Sequence, residues 1–88
     1  MRIKKDFTIQ QVGDSYIAVA VGETSKTFHG MIRLNETGAF LWKKLSEADL
    51  TLDELTDAML AEYEVDRETA ANDAARLVEQ FRENGILE

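Results

Sequence analysis

Catalytic chemistry in this chain would have to come from carboxylates, hydroxyls, amines, guanidinium groups and a single imidazole. There is no cysteine, which removes a thiol nucleophile, a thiolate metal site and a disulfide framework together. His29 is the only histidine. No other histidine or carboxylate stands at ligand spacing from it, so a metal site lacks the donors it needs. His29 reads instead as an exposed strand residue or a contact in a groove. No Ser-His-Asp arrangement, phosphate loop or dinucleotide fingerprint is present. Seventeen acidic residues are available, but no motif sets two of them as general acid and general base. The side chains predict a non-enzyme with no catalytic residue, metal or cofactor.

What remains is the chemistry of the main chain. "FHGMIRL" alternates, with Phe28, Gly30, Ile32 and Leu34 on one side and His29, Met31 and Arg33 on the other. It holds no proline, so its amides are free to pair. At the border of a sheet such a strand presents N–H and C=O groups that accept another chain. Main-chain bonds give sequence-tolerant affinity, and side-chain pockets give selectivity. A later helix offers a wall for the groove. Ala71, Ala75 and Val78, with Arg82 beyond, form a flank whose small side chains leave room for a ligand. The same alanines are equally suited to packing on the protein's own sheet, and the same edge to pairing with a second copy of the chain.

These residues need a scaffold, and the rest of the chain predicts one. "FTIQQVG" puts Phe7, Ile9 and Gln11 on one face. "YIAVAVG" puts Ile17, Val19 and Val21 on one face and Tyr16, Ala18 and Ala20 on the other. Gly13-Asp14-Ser15 between them has hairpin chemistry. "GETSKT", residues 22–27, reads as a loop. Three strands within residues 6–34 then form an antiparallel meander, with the first and third at its edges.

After Leu34 the apolar period turns helical: Leu34, Gly38, Leu41, Trp42 and Leu45 share one side of a helix over 36–46. Asn35 suits the N-cap and Glu36 the positive helix end. Gly38 inside a helix costs ~1 kcal/mol relative to alanine, which signals close packing against its backbone. Thr51 and Glu54 make a capping box for a helix over 51–63, with Leu52, Leu55, Met59 and Tyr63 as its apolar face. Asp66 caps a third helix over 66–84, faced by Ala70, Ala74, Leu77 and Phe81. Gly85 stands just past its end, where a left-handed residue is wanted, and Ile86 and Leu87 fold back on the core. The predicted fold is α+β: a single winged-helix-like domain over 1–88, a three-stranded antiparallel sheet followed by a three-helix bundle.

The formal charge is −7. This opposes nucleic-acid binding, whose affinity comes from basic residues neutralising phosphates. No apolar run approaches the ~20 residues of a membrane span, and no secretory signal follows the charged start. The expectation is a cytoplasmic protein bound to neither membrane nor nucleic acid. A winged-helix nucleic-acid binder and a dimerising scaffold module are the alternatives.

"RLNETGAFLWKKL", "TLDELTDAMLAEY" and "VDRETAANDAARLVEQFRENGIL" resemble the PqqD family, named for pyrroloquinoline quinone synthesis protein D. The resemblance runs from about Phe28 to Leu87. Leu34-Asn35-Glu36-Thr37-Gly38-Ala39, with Trp42 and Leu45, is its most specific part; the first two strands match in pattern only. Members often carry an Asp-Gly turn after the first helix. Here "SEADL", Ser46 to Leu50, replaces it, so a different turn is expected. The resemblance implies a recognition element for ribosomally made, modified peptides. Such a domain binds the leader segment of a precursor and delivers it, as a peptide chaperone, to a modifying enzyme, often a radical SAM enzyme. The leader adds beside the third strand and packs on the third helix. Joined to the strand and flank read above, it gives a peptide-binding set of Phe28, His29, Gly30, Met31, Ile32 and Arg33 with Ala71, Ala75, Val78 and Arg82, where the residues themselves make the two arginines the expected partners of leader carboxylates.

Overall fold

In the computed structural model the order is β1 (Phe7–Val12), β2 (Ser15–Ala20), β3 (Ile32–Leu34), α1 (Glu36–Glu47), α2 (Leu52–Glu62) and α3 (Arg67–Glu83). The structure describes residues 1–22, 26 and 31–88. β2 lies at the centre of an antiparallel sheet of order β1-β2-β3. Val12 pairs with Ser15, so the hairpin loop is Gly13-Asp14, and Ser15 already belongs to β2. Gly13 has φ 62°, the left-handed conformation a two-residue hairpin demands of its first loop residue. Of the expected loop over 22–27 only Gly22 and Lys26 are described. Phe28, His29 and Gly30 lie outside the described residues.

Cross-strand partners share a face of the sheet. Phe7 and Ile9 of β1, Ala18 and Ala20 of β2, and Ile32 and Leu34 of β3 therefore point the same way. The three helices follow on that side of the chain's core. Leu41, Trp42 and Leu45 of α1 join Leu55 and Met59 of α2 and Ala74, Val78 and Phe81 of α3 in one cluster with the sheet residues. Trp42 meets Phe81 edge-to-face with ring centroids 5.4 Å apart, a favoured aromatic geometry. Ala18, the small residue at the middle of β2, is buried between its partners Ile9 and Ile32.

The helix starts form as their residues dictate. The Asn35 side chain accepts a hydrogen bond from the Gly38 amide at 2.8 Å. Thr51 and Glu54 complete their reciprocal box, at 3.2 Å and 2.9 Å. Asp66 accepts from the Thr69 amide at 2.7 Å. At the other end of α3, Gly85 takes φ 70° and turns Ile86 into the core, fully buried. Ile3 then forms an isolated bridge with Leu87, and its amide donates to the Leu45 carbonyl at 3.1 Å. The first residues thus tie the end of α1 to the chain's last residues.

Two positions in α2 differ from the expected apolar face. Leu52, at the first helical position, is exposed. Thr56 is buried instead, its hydroxyl donating to the Leu52 carbonyl at 2.9 Å, so its polar atom enters the interior already satisfied. Tyr63 is the C-cap rather than an interior residue. It is half-buried and packs edge-to-face with Phe40.

The Asp66 cap makes stability depend on pH. Hydrogen bonds from Thr69, through its side chain and then its amide, hold the Asp66 carboxyl below its ordinary value of 3.8. A depressed folded-state value means that the carboxylate's contribution is fully present above the unfolded value. It is lost as pH falls through the lower folded value. Side-chain carbon NMR should show Asp66 titrating below 3.8. Asp66→Asn, which keeps a capping side chain, should lose part of the acid sensitivity of the melting temperature below about pH 4 while melting normally at neutral pH.

Candidate functional site

The hydrogen-bond pattern of the sheet decides which main-chain groups are on offer. In an antiparallel pair, hydrogen-bonded and non-hydrogen-bonded residue pairs alternate. The Val21 amide donates to the Asp6 carbonyl at 2.7 Å, which makes this pair hydrogen-bonded. Counting along the register, Thr8↔Val19, Gln10↔Ile17 and Val12↔Ser15 are hydrogen-bonded too. The odd-numbered residues of β2 thus turn their main chain toward β1, and Tyr16 and Ala18 turn theirs toward β3. Their partners Leu34 and Ile32 are spent on β2. Arg33, between them, turns its N–H and C=O outward to a border that no described strand occupies, and Met31 has the same parity.

The side chains of β3 divide the same way. Ile32 and Leu34 are buried, whereas Met31 is 71% exposed and Arg33 is exposed. Beside this border lies a groove of about 430 Å³. The strand side and hairpin end contribute Arg33, Leu34, Asp14 and Ser15, the start of α1 contributes Asn35 and Glu36, and α3 contributes Leu77 and Gln80. A neighbouring hollow shares Asn35, Leu77 and Gln80 and extends to Thr37, Asp73 and Arg76. The result is one trough along α3 with Leu77, half-buried, near its middle.

The helical wall is not the alanine flank. Asp73, Arg76, Leu77 and Gln80 stand at i, i+3, i+4 and i+7, one row of a helix surface. Ala71, Ala75, Val78 and Arg82 form a second row on the other side of the buried ridge of Ala70, Ala74 and Phe81. Val78 is core, Ala71 half-buried and Ala75 exposed. Arg82 is exposed and paired with Glu79 at 3.0 Å. The structure therefore brings Met31 and Arg33 to the border and Arg33 together with Leu77 and Gln80. It does not bring Arg33 together with Ala71, Ala75 or Arg82. By sequence Leu77 belongs to the core face, and Asp73 and Arg76 belong to a solvated face with the spacing of helical ion pairs. A row of polar residues at helical spacing around one leucine was the available signal.

The trough carries charges of both signs. Arg33 and Arg76 make no ion pair among the described residues, unlike Arg67 with Asp57 and Arg82 with Glu79. Asp14 and Glu36 sit at one end and Asp73 at the other. Among the described residues no group of three or more His, Asp or Glu side chains is arranged to hold a metal ion. Nor, among those residues, is any helix long and apolar enough to cross a membrane.

A strand edge unpaired among the described residues, beside a helix-walled trough on three antiparallel strands followed by three helices, defines a winged-helix-like α+β domain. Residues 18–87 match the family described as Coenzyme PQQ synthesis protein D, PqqD. The chain belongs to the PqqD family. Among solved structures it is similar to TbiB1 in complex with the TbiA(beta) leader peptide. There the identity is 25% and the TM-score 0.77, covering 100% of this chain and 95% of that one. It is also similar in fold to a lasso peptide synthetase B1 complexed with the leader peptide, at 24% identity and TM-score 0.73, covering 99% and 95% of the two chains. No curated protein sequence matches the chain.

Gly38 joins the border to the helix beside it. A Cβ on Gly38 would lie 3.2 Å from the Leu34 Cβ, 3.3 Å from Leu34 Cδ2 and 3.3 Å from the Asn35 cap oxygen. The Leu34 side chain is buried and its Cβ moves only with the strand. Gly38→Ala should therefore forfeit the ~1 kcal/mol that alanine gains in a helix interior. Thermal melts should show a variant no more stable than the parent; a clear rise in melting temperature would mean that Leu34 yields.

Proposed function

We propose that this protein is a non-catalytic recognition element that binds the leader segment of a ribosomally made precursor peptide and delivers it to a modifying enzyme. The observation that carries the reading is the outward main chain of Arg33 beside the Leu77 trough. The family membership and the leader peptide bound in the TbiB1 structure support it. The leader adds as a fourth strand along β3. Its amides pair with the free groups of Arg33 and Met31, and alternate side chains enter the trough over Leu77 and Gln80. Arg33 and Arg76, free of ion pairs among the described residues, are the cations available to a leader carboxylate. Phe28, His29 and Gly30, which precede Met31 in the sequence, belong to the proposed peptide-binding set.

The partner is a peptide-modifying enzyme, of the radical SAM class by the family resemblance. The domain raises the effective concentration of the precursor at that enzyme and works in the cytoplasm. It uses no cofactor, metal, nucleic acid or membrane of its own.

A fluorescein-labelled leader of the precursor encoded beside this protein is the direct probe, read by anisotropy. Saturable binding is expected. Arg33→Pro deletes an outward N–H that β2 does not use, and should weaken binding at least ten-fold with the fold retained. Leu77→Ala should weaken it several-fold, whereas Ala75→Glu, on the other flank, should leave it within about two-fold. Absence of saturable binding to any such leader, or loss on Ala75→Glu without loss on Leu77→Ala, would sink this assignment.

A further inference from the structure

Among the described residues the sheet has a second border with no strand beside it. β1 is an edge strand of six residues, Phe-Thr-Ile-Gln-Gln-Val, which contain no charge and no proline. Its register with β2 runs unbroken from Phe7↔Ala20 to Val12↔Ser15, so no bulge twists it away. Edge strands are commonly guarded by lysine, proline or a bulge, and β1 has none of these. By the parity already established, Ile9 and Gln11 turn their main-chain groups away from β2. Beside them lies a cleft of about 290 Å³ between β1 and α1, whose rim includes Ile9, Lys43, Ser46 and Glu47.

We propose that β1 pairs antiparallel with β1 of a second copy of this chain, about a two-fold axis perpendicular to the sheet. Three features select a copy of the same chain as the occupant. An antiparallel pair of identical strands is compatible with a two-fold axis, and its interface is self-complementary by construction. The uncharged edge places no carboxylate opposite another, although each chain carries −7. Lys43 and Glu47 stand one turn apart on α1 at the rim of the cleft, and neither has an ion pair among the described residues. The two-fold reverses the direction of α1 in the second copy, so each Lys43 faces the other chain's Glu47.

The contact is a strand edge and a cleft rim, smaller than the ~1,200 Å² below which complexes are usually transient. The dimer accordingly dissociates on dilution. Its sheet runs β3-β2-β1-β1-β2-β3 and leaves both β3 borders on the outside. Where the leader-binding reading holds, one dimer presents two leader sites; the self-pairing itself does not rest on that reading.

Sedimentation of the full chain from low micromolar to millimolar concentration tests this without any ligand. The weight-average mass should climb from 9.9 kDa toward twice that value. Gln11→Pro removes an outward N–H and spares the β1–β2 bonds; it should stay monomeric with an unchanged circular dichroism spectrum. Lys43→Glu and Glu47→Lys should each weaken the dimer several-fold, and the double swap should restore it. A monomer throughout the range overturns the proposal. So does a dimer that survives Gln11→Pro, one abolished by Arg33→Pro instead, or a double swap no better than either single change.

Discussion

The alternation of hydrogen-bonded pairs across the β1–β2 hairpin governs everything this domain can offer a partner. A two-residue loop at Gly13-Asp14 leaves Val12 and Ser15 as its closing pair. The bond from the Val21 amide to the Asp6 carbonyl fixes the same phase at the far end. Once that phase is set, every main-chain group in the sheet is committed inward or outward. A shift of one residue would exchange the groups and invert the faces together. It would put Ile32 and Leu34 in water and turn Arg33 inward. Recognition geometry and core packing are thus two readings of one register, and neither can drift while the other holds.

The passage from β3 to α1 carries that register into the helical layer. Leu34 ends the strand in the core, Asn35 caps the helix, and Gly38 lets the first turn of α1 close onto Leu34 without a Cβ between them. Leu34 and Asn35 also line the trough, together with Leu77 and Gln80 of α3. The trough is therefore built where a strand runs directly into a capped helix. That is where a binding surface loses least to conformational entropy on ordering. Its apolar content is modest and its rim polar, which suits recognition led by main-chain bonds.

Much of this was legible in the residues. The caps at Asn35, Thr51 and Asp66 and the left-handed Gly85 follow from local chemistry, because each involves atoms three or four positions apart. The strand alternation and the fold class followed for the same reason. The flank of α3 that faces β3 was not legible. Both rows beside the ridge of Ala70, Ala74 and Phe81 contain mixed small, apolar and charged residues. Which row meets the sheet is set by how α3 packs across α2 and the sheet, a long-range property. The same applies to Val78 and Leu77, adjacent in sequence, of which the first is core and the second rim. Leu52 and Thr56 exchanged roles because a threonine hydroxyl can bond back to its own helix, which hydropathy alone does not register. The bridge of Ile3 with Leu87 had no local signature at all.

The single tryptophan gives the molecule an optical property. Trp42 is 2% exposed and stands nearly perpendicular to the Phe81 ring, where side chains of α1 and α3 meet. Its side chain lies outside the Arg33–Leu77 trough. Ultraviolet emission from the unlabelled protein is therefore a report on the integrity of the interior, shifting to the red as water reaches the indole. A polypeptide settling along β3 leaves that signal largely undisturbed, so a change in it marks loosening of the scaffold rather than occupancy.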